Sequence, residues 1–128
     1  MVYLTMQQVL YLHNKVVLET GGQAGVRDLG WLESALERPK ATFDGVELYP
    51  ILFDKVAALM QSMTQNHPFI DGNKRTALVS AIMFLRLNRH KFVATNNDAV
   101  KFTFRVINEH LTIPEMAQWF EQNSKSLD

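Results

Sequence analysis

Apolar residues recur along most of this chain at the three- and four-residue spacing of helices that bury one face. Capping residues, glycines and prolines separate these stretches. The pattern predicts an all-α fold, a compact single-domain bundle of about six helices spanning residues 1–128. We expect the helices at about residues 5–19, at 28–37, from Pro50 onward, at 72–88, from Asn96 or Asn97 to 109, and from Thr112 onward.

Several predicted helix ends carry specific signals. Thr5 with Gln8, and Thr112 with Glu115, form capping-box patterns that satisfy backbone N–H groups at a helix start. Residues 123–128 carry no comparable signal after the last helix, and we expect them to fray.

Two stretches break the helical pattern. Residues 40–49, KATFDGVELY, place an Asp44-Gly45 turn signal between short β-prone pieces, which predicts a loop or a small hairpin. Residues 91–94, KFVA, are predicted to form a short strand.

The fourth predicted helix combines an apolar body with a charged first turn. From Ala77 to Leu87 it is apolar on nearly every side, which predicts a central position in the bundle. Lys74 and Arg75 lie at the end where a helix already has positive partial charge, and each is unfavourable there by about 0.3–1 kcal/mol without compensation. Because Gly72 lets a ligand approach the unpaired N–H groups of this turn, we predict that a phosphate or a chain of phosphates binds there.

His67 and Asp71 flank this predicted anion site, on the loop that leads into the helix. Imidazole can take a proton near neutral pH, and a carboxylate beside phosphates is a usual magnesium ligand. With the adjacent anion site they form a set of groups typical of phosphoryl transfer. We expect Phe69 or Ile70 to anchor the loop in the core. The remaining histidines are predicted to lie outside this cluster, as structural or surface residues: His13, His90 and His110.

Each residue of the cluster also has a purely structural interpretation. His67 alone is more often a structural histidine than a catalyst, and Asp71 or Asn73 alone is more often a helix cap. Lys74 and Arg75 also fit a solvated rim on which they pair with Asp71. We favour the anion site because the structural interpretations must all hold at once, within nine residues and against the helix dipole.

Composition excludes several classes of protein. Thirteen basic residues balance thirteen acidic ones, so no overall charge favours nucleic acid or an anionic membrane, and we expect neither as a partner. Without cysteine, the chain has no disulfide, thiolate zinc site or cysteine nucleophile. The first residues lack a signal-peptide pattern, and the longest apolar run is far shorter than the ~20 residues of a membrane helix. We therefore expect a cytoplasmic location.

The segment HPFIDGNKR, residues 67–75, resembles the motif of the Fic superfamily, H-P-F-x-[D/E]-G-N-G-R-x-x-R. More narrowly, the chain is similar to the death-on-curing (Doc) branch, toxins of phage- and plasmid-type addiction modules. The segments GVRDLGWLESALERP, ELYP and FLRLN are also similar to that branch, so the resemblance covers most of the chain. It implies a Fic-like helical bundle in which the central helix follows the motif loop.

Two residues depart from the Fic motif. Lys74 replaces the usual glycine, and Leu78 replaces the usual second arginine. Fic proteins with the full motif transfer AMP from ATP to a protein hydroxyl. The Doc branch shares the NKR ending and is understood to bind ATP in the reverse orientation, so that the γ-phosphate is the group transferred. The resemblance therefore implies a protein kinase that phosphorylates a threonine of elongation factor Tu and arrests translation. AMP transfer remains one alternative, and a non-catalytic protein that binds a nucleotide or a partner remains another.

The resemblance also implies cofactors, site residues and a partner. The cofactors would be ATP and Mg²⁺, with His67 activating the target hydroxyl and Asp71 holding the metal. Phosphate oxygens would be held by Gly72, Asn73, Lys74 and Arg75, and a flap that docks the target by strand pairing would include Phe43, Asp44, Gly45 and Val46. A Phd-like antitoxin on a separate chain is implied as well. Some Fic proteins carry an inhibitory [S/T]-x-x-x-E-[G/N] helix, but this chain lacks that pattern, so inhibition would come from another polypeptide.

Overall fold

A computed structural model describes residues 1–128 and contains six α-helices, one 3-10 turn and two small antiparallel sheets. Helices α1 to α6 span Met6–Thr20, Leu29–Glu37, Leu52–Asn66, Asn73–Leu87, Asn96–Asn108 and Ile113–Gln122, and the 3-10 turn spans Arg38–Lys40. Strands β1 to β4 span Thr42–Phe43, Val46–Glu47, His90–Phe92 and Ser124–Ser126. The expected all-α fold, with six helices and a small hairpin, is confirmed.

Helices α3 and α4 form the centre of the bundle. Helix α3 packs against α2, α4 and α6, and its Met60 and Met63 side chains are completely buried. Helix α4 buries Phe84 and Leu85 in the same core while it also packs against α1 and β3. The first turn of α4 extends beyond this core, with Lys74 and Arg75 exposed, which brings the N-terminus of the helix to the surface. None of the six helices combines the length and the apolar character that crossing a membrane requires.

Both predicted capping boxes are present, but two other helix starts differ from the prediction. Pro50 precedes α3 and is not its first residue, because the backbone is still extended at Ile51, with φ −98° and ψ 152°. The cap of α5 is Thr95, whose hydroxyl accepts a hydrogen bond from the Asp98 N–H. Asn96 and Asn97, the two candidate caps for this helix, are therefore already helical.

The C-terminal residues were expected to fray, but Ser124–Ser126 forms a strand. Ser124–Ser126 pairs with His90–Phe92, the strand predicted at 91–94, and forms an antiparallel sheet. The Val93 N–H donates to the Asn123 carbonyl and the Leu127 N–H donates to the Arg89 carbonyl, which extends the pairing at both ends. The prediction was wrong because backbone hydrogen bonds to an available strand edge hold this segment, and its short polar side chains give no sequence signal for such pairing.

Candidate active site

The loop between α3 and α4 begins and ends at a residue in the left-handed backbone conformation. His67 ends α3 in the left-handed conformation, with φ 51°, and Gly72 precedes α4 in the same conformation, with φ 75°. Phe69 is 1% exposed and Ile70 is 46% exposed. The expected anchoring of the loop in the core is therefore confirmed and is made by Phe69.

The Asn73 side chain holds the loop through the backbone of Phe69. Its Oδ1 accepts from the Phe69 N–H at 2.9 Å, and its Nδ2 donates to the Phe69 carbonyl at 2.9 Å. Because the amide oxygen and one amide N–H are engaged with Phe69, the groups of Asn73 that remain available to a phosphate are its backbone N–H and the second amide N–H. Asn73 therefore does not cap the helix, and most of its side-chain hydrogen bonding serves the loop.

The Asp71 carboxylate is held by backbone N–H groups on two sides. Oδ1 accepts from the Gly72 N–H at 2.9 Å, and Oδ2 accepts from the Gln23 N–H at 3.2 Å. Helix α4 has no side-chain cap, and Asp71 forms no ion pair with Lys74 or Arg75. Neither the capping interpretation of Asp71 nor the paired-rim interpretation of the two cations agrees with this arrangement.

A segment that sequence reasoning missed, residues 22–28 between α1 and α2, packs against the loop. The N–H groups of Arg27 and Asp28 both donate to the Pro68 carbonyl, at 2.8 and 3.0 Å, and the Ile70 N–H donates to the Gly25 carbonyl at 3.1 Å. Gly22 lies so close that a Cβ atom there would be 2.8 Å from Asp71 Oδ2. The two glycines in this short connection were the available sequence signal.

His13 is a buried structural residue, as expected, but its contact with the motif loop was missed. It is buried on α1, and its Nε2 lies 2.8 Å from the Asp71 carbonyl oxygen. Its ring stacks on that of Phe69, with the centroids 3.7 Å apart and an interplanar angle of 8°. His90 and His110 do not line the cleft described below.

One cleft of about 410 Å³ at the N-terminus of α4 brings together the six residues assigned to catalysis, metal and phosphate binding. These residues are His67, Asp71, Gly72, Asn73, Lys74 and Arg75, and the remaining lining comes from Val16, Thr20 and Ile70. The side chains of Lys74 and Arg75 are exposed and form no ion pair, and the first turn of α4 has no acidic residue. The two cations and the helix dipole therefore act on the same cleft, and no ion pair neutralises either cation.

A second cavity, of about 440 Å³, lies between α4 and α5 and shares Lys74 and Arg75 with the cleft. Its lining is mainly apolar and includes Leu78 and Phe104. Leu78 occupies the position of the second arginine of the full Fic motif. The Lys74 ammonium lies 5.4 Å from the centroid of the Phe104 ring. The two cavities thus adjoin along the first turn of α4.

The donor set at the cleft fits a magnesium ion that arrives with phosphates. No three His, Asp or Glu side chains converge anywhere in the chain, so the protein alone offers no complete metal site. Magnesium commonly takes one or two protein carboxylates and completes its shell with water and phosphate oxygens. Asp71, with its oxygens fixed at the rim of an anion site, can supply such a carboxylate.

The predicted flap is a two-residue β-turn hairpin that does not line the cleft. Asp44 and Gly45 form its turn with positive φ values of 51° and 78°, as an Asp-Gly hairpin requires. Phe43 and Val46 face each other across the two strands and are 71% and 69% exposed. The hairpin therefore presents two large apolar side chains to solvent next to short strand edges.

A buried lysine attaches the hairpin to the core. Lys55 of α3 is 2% exposed, and its Nζ donates to the Glu47 carboxylate at 2.8 Å and to the Pro39 carbonyl at 3.2 Å. Burial by itself lowers the pKa of Lys55, but its hydrogen bonds and charge interactions with Glu47 and Tyr3 outweigh burial and raise that pKa above 10.5.

Comparison with known proteins agrees with this architecture. The sequence model described as the Fic/DOC family matches residues 3–85, which is more than half of the chain. The chain belongs to the Fic/DOC family. A protein named Toxin Doc from Mycolicibacterium smegmatis is 54% identical over 68 residues, which are 53% of this chain and 52% of that protein. A protein named Protein kinase doc from Escherichia phage P1 is 34% identical over 86 residues, 67% of this chain and 68% of that protein.

The resemblance to the Doc branch is confirmed by these two relatives. The residues of this chain that align with the Mycolicibacterium smegmatis relative span about half of that protein's length. The family match contains α1, the segment 22–28, the hairpin and the motif loop.

Proposed function

We propose that this protein is the toxin of a toxin–antitoxin module and transfers the γ-phosphate of ATP to a hydroxyl of a protein substrate. The observation that supports this most directly is the single cleft in which His67, the fixed Asp71 carboxylate and two cations without ion pairs meet at a helix N-terminus. Helix N-termini bind phosphates through their unpaired N–H groups, and phosphoryl transfer depends on positioning and charge neutralisation more than on covalent chemistry.

The phosphate chain would be held by the first turn of α4. The N–H groups of Asn73, Lys74 and Arg75 have no acceptor within the helix, because the first helical bond is donated by Thr76 to the Gly72 carbonyl at 3.0 Å. The two side-chain cations would neutralise phosphate oxygens. Asp71 would hold the magnesium ion that neutralises the remaining charge of the nucleotide.

The adjoining apolar cavity favours phosphate transfer over AMP transfer. A nucleoside that occupies the cavity beside Leu78 and Phe104 would leave its phosphates to run past Lys74 and Arg75 toward the loop. The terminal phosphate would then lie closest to His67. That order supports the γ-phosphate, and not the α-phosphate, as the reacting group.

His67 would act as the general base. Its side chain is exposed at the cleft, where a substrate hydroxyl can reach it. The imidazole would accept the hydroxyl proton while the oxygen forms its bond to the γ-phosphorus and the bond to the bridging oxygen breaks, with ADP as the leaving group. Imidazole suits this role because it titrates near neutral pH.

The hairpin would dock the protein substrate, with a threonine of elongation factor Tu as the proposed acceptor and translation arrest as the result. An extended segment can pair with an exposed strand edge, and apolar side chains beside the edge add specificity. Phe43 and Val46 are exposed in this way. A Phd-like antitoxin on a separate chain would inhibit the toxin.

The proposal is tested by the mass of the product. We would incubate the protein with ATP, Mg²⁺ and elongation factor Tu, and measure the intact mass of the factor and of its threonine-containing peptides. We expect the mass of one phosphate to be added, and none to be added by His67→Ala or in EDTA. His110→Ala, an exposed histidine outside the cleft, is the matched control and should be active. Addition of AMP would establish the alternative transferase, and nucleotide binding without any product would establish the non-catalytic alternative.

A further inference from the structure

The structure places a buried histidine against the backbone of the proposed magnesium ligand. We infer that His13 is a positioning residue that orients the Asp71–Gly72 peptide group and, through it, the Asp71 carboxylate. This inference rests on the proposed function for the metal role of Asp71. The contact itself, between His13 Nε2 and the Asp71 carbonyl oxygen, does not depend on that role.

The direction of this hydrogen bond follows from its partners. A carbonyl oxygen can only accept, so His13 Nε2 carries the hydrogen and donates it across 2.8 Å. The plane of the imidazole is fixed by its parallel stacking on Phe69, 3.7 Å away. Because the side chain is 2% exposed, water cannot readily replace the donor.

The effect on the carboxylate passes through one rigid peptide group. The Asp71 carbonyl and the Gly72 N–H belong to the same planar unit, so a donor that fixes the carbonyl also fixes the direction of the N–H. That N–H donates to Asp71 Oδ1 at 2.9 Å, while Oδ2 is held separately by Gln23. His13 therefore controls one of the two bonds that orient the carboxylate.

Close packing beneath the loop leaves this peptide little freedom. A Cβ atom at Gly72 would lie 3.3 Å from the Val16 side chain and 3.8 Å from His13 Nε2. Helix α1 thus contacts the loop directly below the anion site. An aromatic residue without an N–H could fill the same volume, but it would leave the Asp71 carbonyl without its donor.

Two substitutions at one position separate hydrogen bonding from packing. His13→Phe keeps the aromatic volume and the stacking on Phe69 but loses the N–H, whereas His13→Gln keeps a donor near the position of Nε2. We would measure Mn²⁺ binding by electron paramagnetic resonance in the presence of a non-hydrolysable ATP analogue, and binding of the analogue alone in EDTA. We expect His13→Phe to raise the Mn²⁺ dissociation constant by about tenfold, the lower end for loss of an outer-shell partner, and His13→Gln to restore most of the affinity. Binding of the analogue in EDTA should be unchanged.

A second measurement needs no ligand. Hydrogen exchange of the Gly72 amide, followed by NMR, should be faster in His13→Phe than in wild type and close to wild type in His13→Gln. Val9→Ala creates a cavity on the buried face of the same helix and is the control for a general loosening of the structure. It should leave both the Gly72 exchange rate and the Mn²⁺ affinity unchanged.

The outcomes distinguish the inference from the proposed function. Equal Mn²⁺ affinity and equal Gly72 exchange in wild type and His13→Phe would overturn the inference, and so would a His13→Gln variant no better than His13→Phe. If wild type binds neither the analogue nor Mn²⁺, the proposed function fails and the metal role of His13 fails with it. In that event a change in Gly72 exchange would still establish that His13 holds the peptide group.

Discussion

The Lys55 ammonium on the buried face of α3 lies 2.8 Å from the Glu47 carboxylate on the exposed strand β2. Lys55 is 2% exposed, whereas the Glu47 side chain is 51% exposed, so this ion pair crosses from the core to the surface. It joins the hairpin to the central helix, with the Pro39 carbonyl as the other acceptor. A two-stranded hairpin is only marginally stable by itself, so this ion pair helps to keep the hairpin folded and in place against α3.

We predict that Glu47→Gln lowers the free energy of unfolding by about 1–3 kcal/mol, because a buried ammonium loses its charged acceptor. Lys55→Met, which removes the buried charge and keeps the aliphatic volume, should cost less. Urea denaturation measures both. Glu37→Gln, which breaks the exposed Lys40–Glu37 pair, should change stability by no more than about 0.5 kcal/mol. A larger loss in Lys55→Met than in Glu47→Gln would contradict this account.

The same pair predicts how stability depends on alkaline pH. The folded-state pKa of Lys55 is raised above 10.5, so the folded protein binds this proton more tightly than the unfolded chain. The resulting stabilisation is fully present below pH 10.5 and is lost as pH rises through the folded-state pKa. Wild type should therefore lose stability relative to Lys55→Met above that pH in parallel urea titrations. Parallel curves for the two proteins would show that Lys55 does not contribute.

Much of the fold was predictable because it depends on local signals. Both capping boxes, the Asp44-Gly45 turn and the burial of Phe84 and Leu85 in α4 follow from residues a few positions apart. The strand at 124–126 did not follow, because it forms by backbone pairing with a segment more than thirty residues earlier. Such pairing depends on which strand edge is available, and that is a property of the assembled fold.

The candidate site was predictable only in part, for the same reason. Its polar residues lie within one short motif, so sequence reasoning could group His67 with Asp71. The groups that orient Asp71 come from elsewhere: His13 is 58 residues away, and the Gln23 N–H is a backbone group that no residue type reveals. Asn73 was predicted as a phosphate ligand, and nothing in the sequence indicated that its side chain holds Phe69.

We predict that Gly22→Ala disturbs the Asp71 carboxylate without disturbing the backbone. The new Cβ would meet Oδ2 at 2.8 Å, and Gly22 does not have the left-handed conformation that would make alanine strained. The carboxylate must therefore move, and Mn²⁺ affinity in the presence of the ATP analogue should fall by roughly tenfold. Gly21→Asn is the matched control, since that position is left-handed with nothing within 4 Å. Unchanged Mn²⁺ affinity in Gly22→Ala would show that Asp71 does not hold the metal.

Positive charge should have opposite effects on stability at the two ends of α4. Arg75 is exposed in the first turn and forms no ion pair, so Arg75→Gln should relieve its repulsion by the helix dipole and raise the free energy of unfolding by about 0.3–1 kcal/mol. The same variant should bind the ATP analogue more weakly, because the cation that is unfavourable for folding is the one that faces phosphate.

Arg86 provides the control for this pair of effects, since it is an exposed arginine in the last turn of the same helix, where positive charge is favourable. Arg86→Gln should lower stability slightly and leave analogue binding unchanged. Urea denaturation and calorimetric titration measure the two quantities on each variant. If Arg75→Gln loses stability and keeps its affinity for the analogue, Arg75 serves the fold, and its location in the cleft does not reflect phosphate binding.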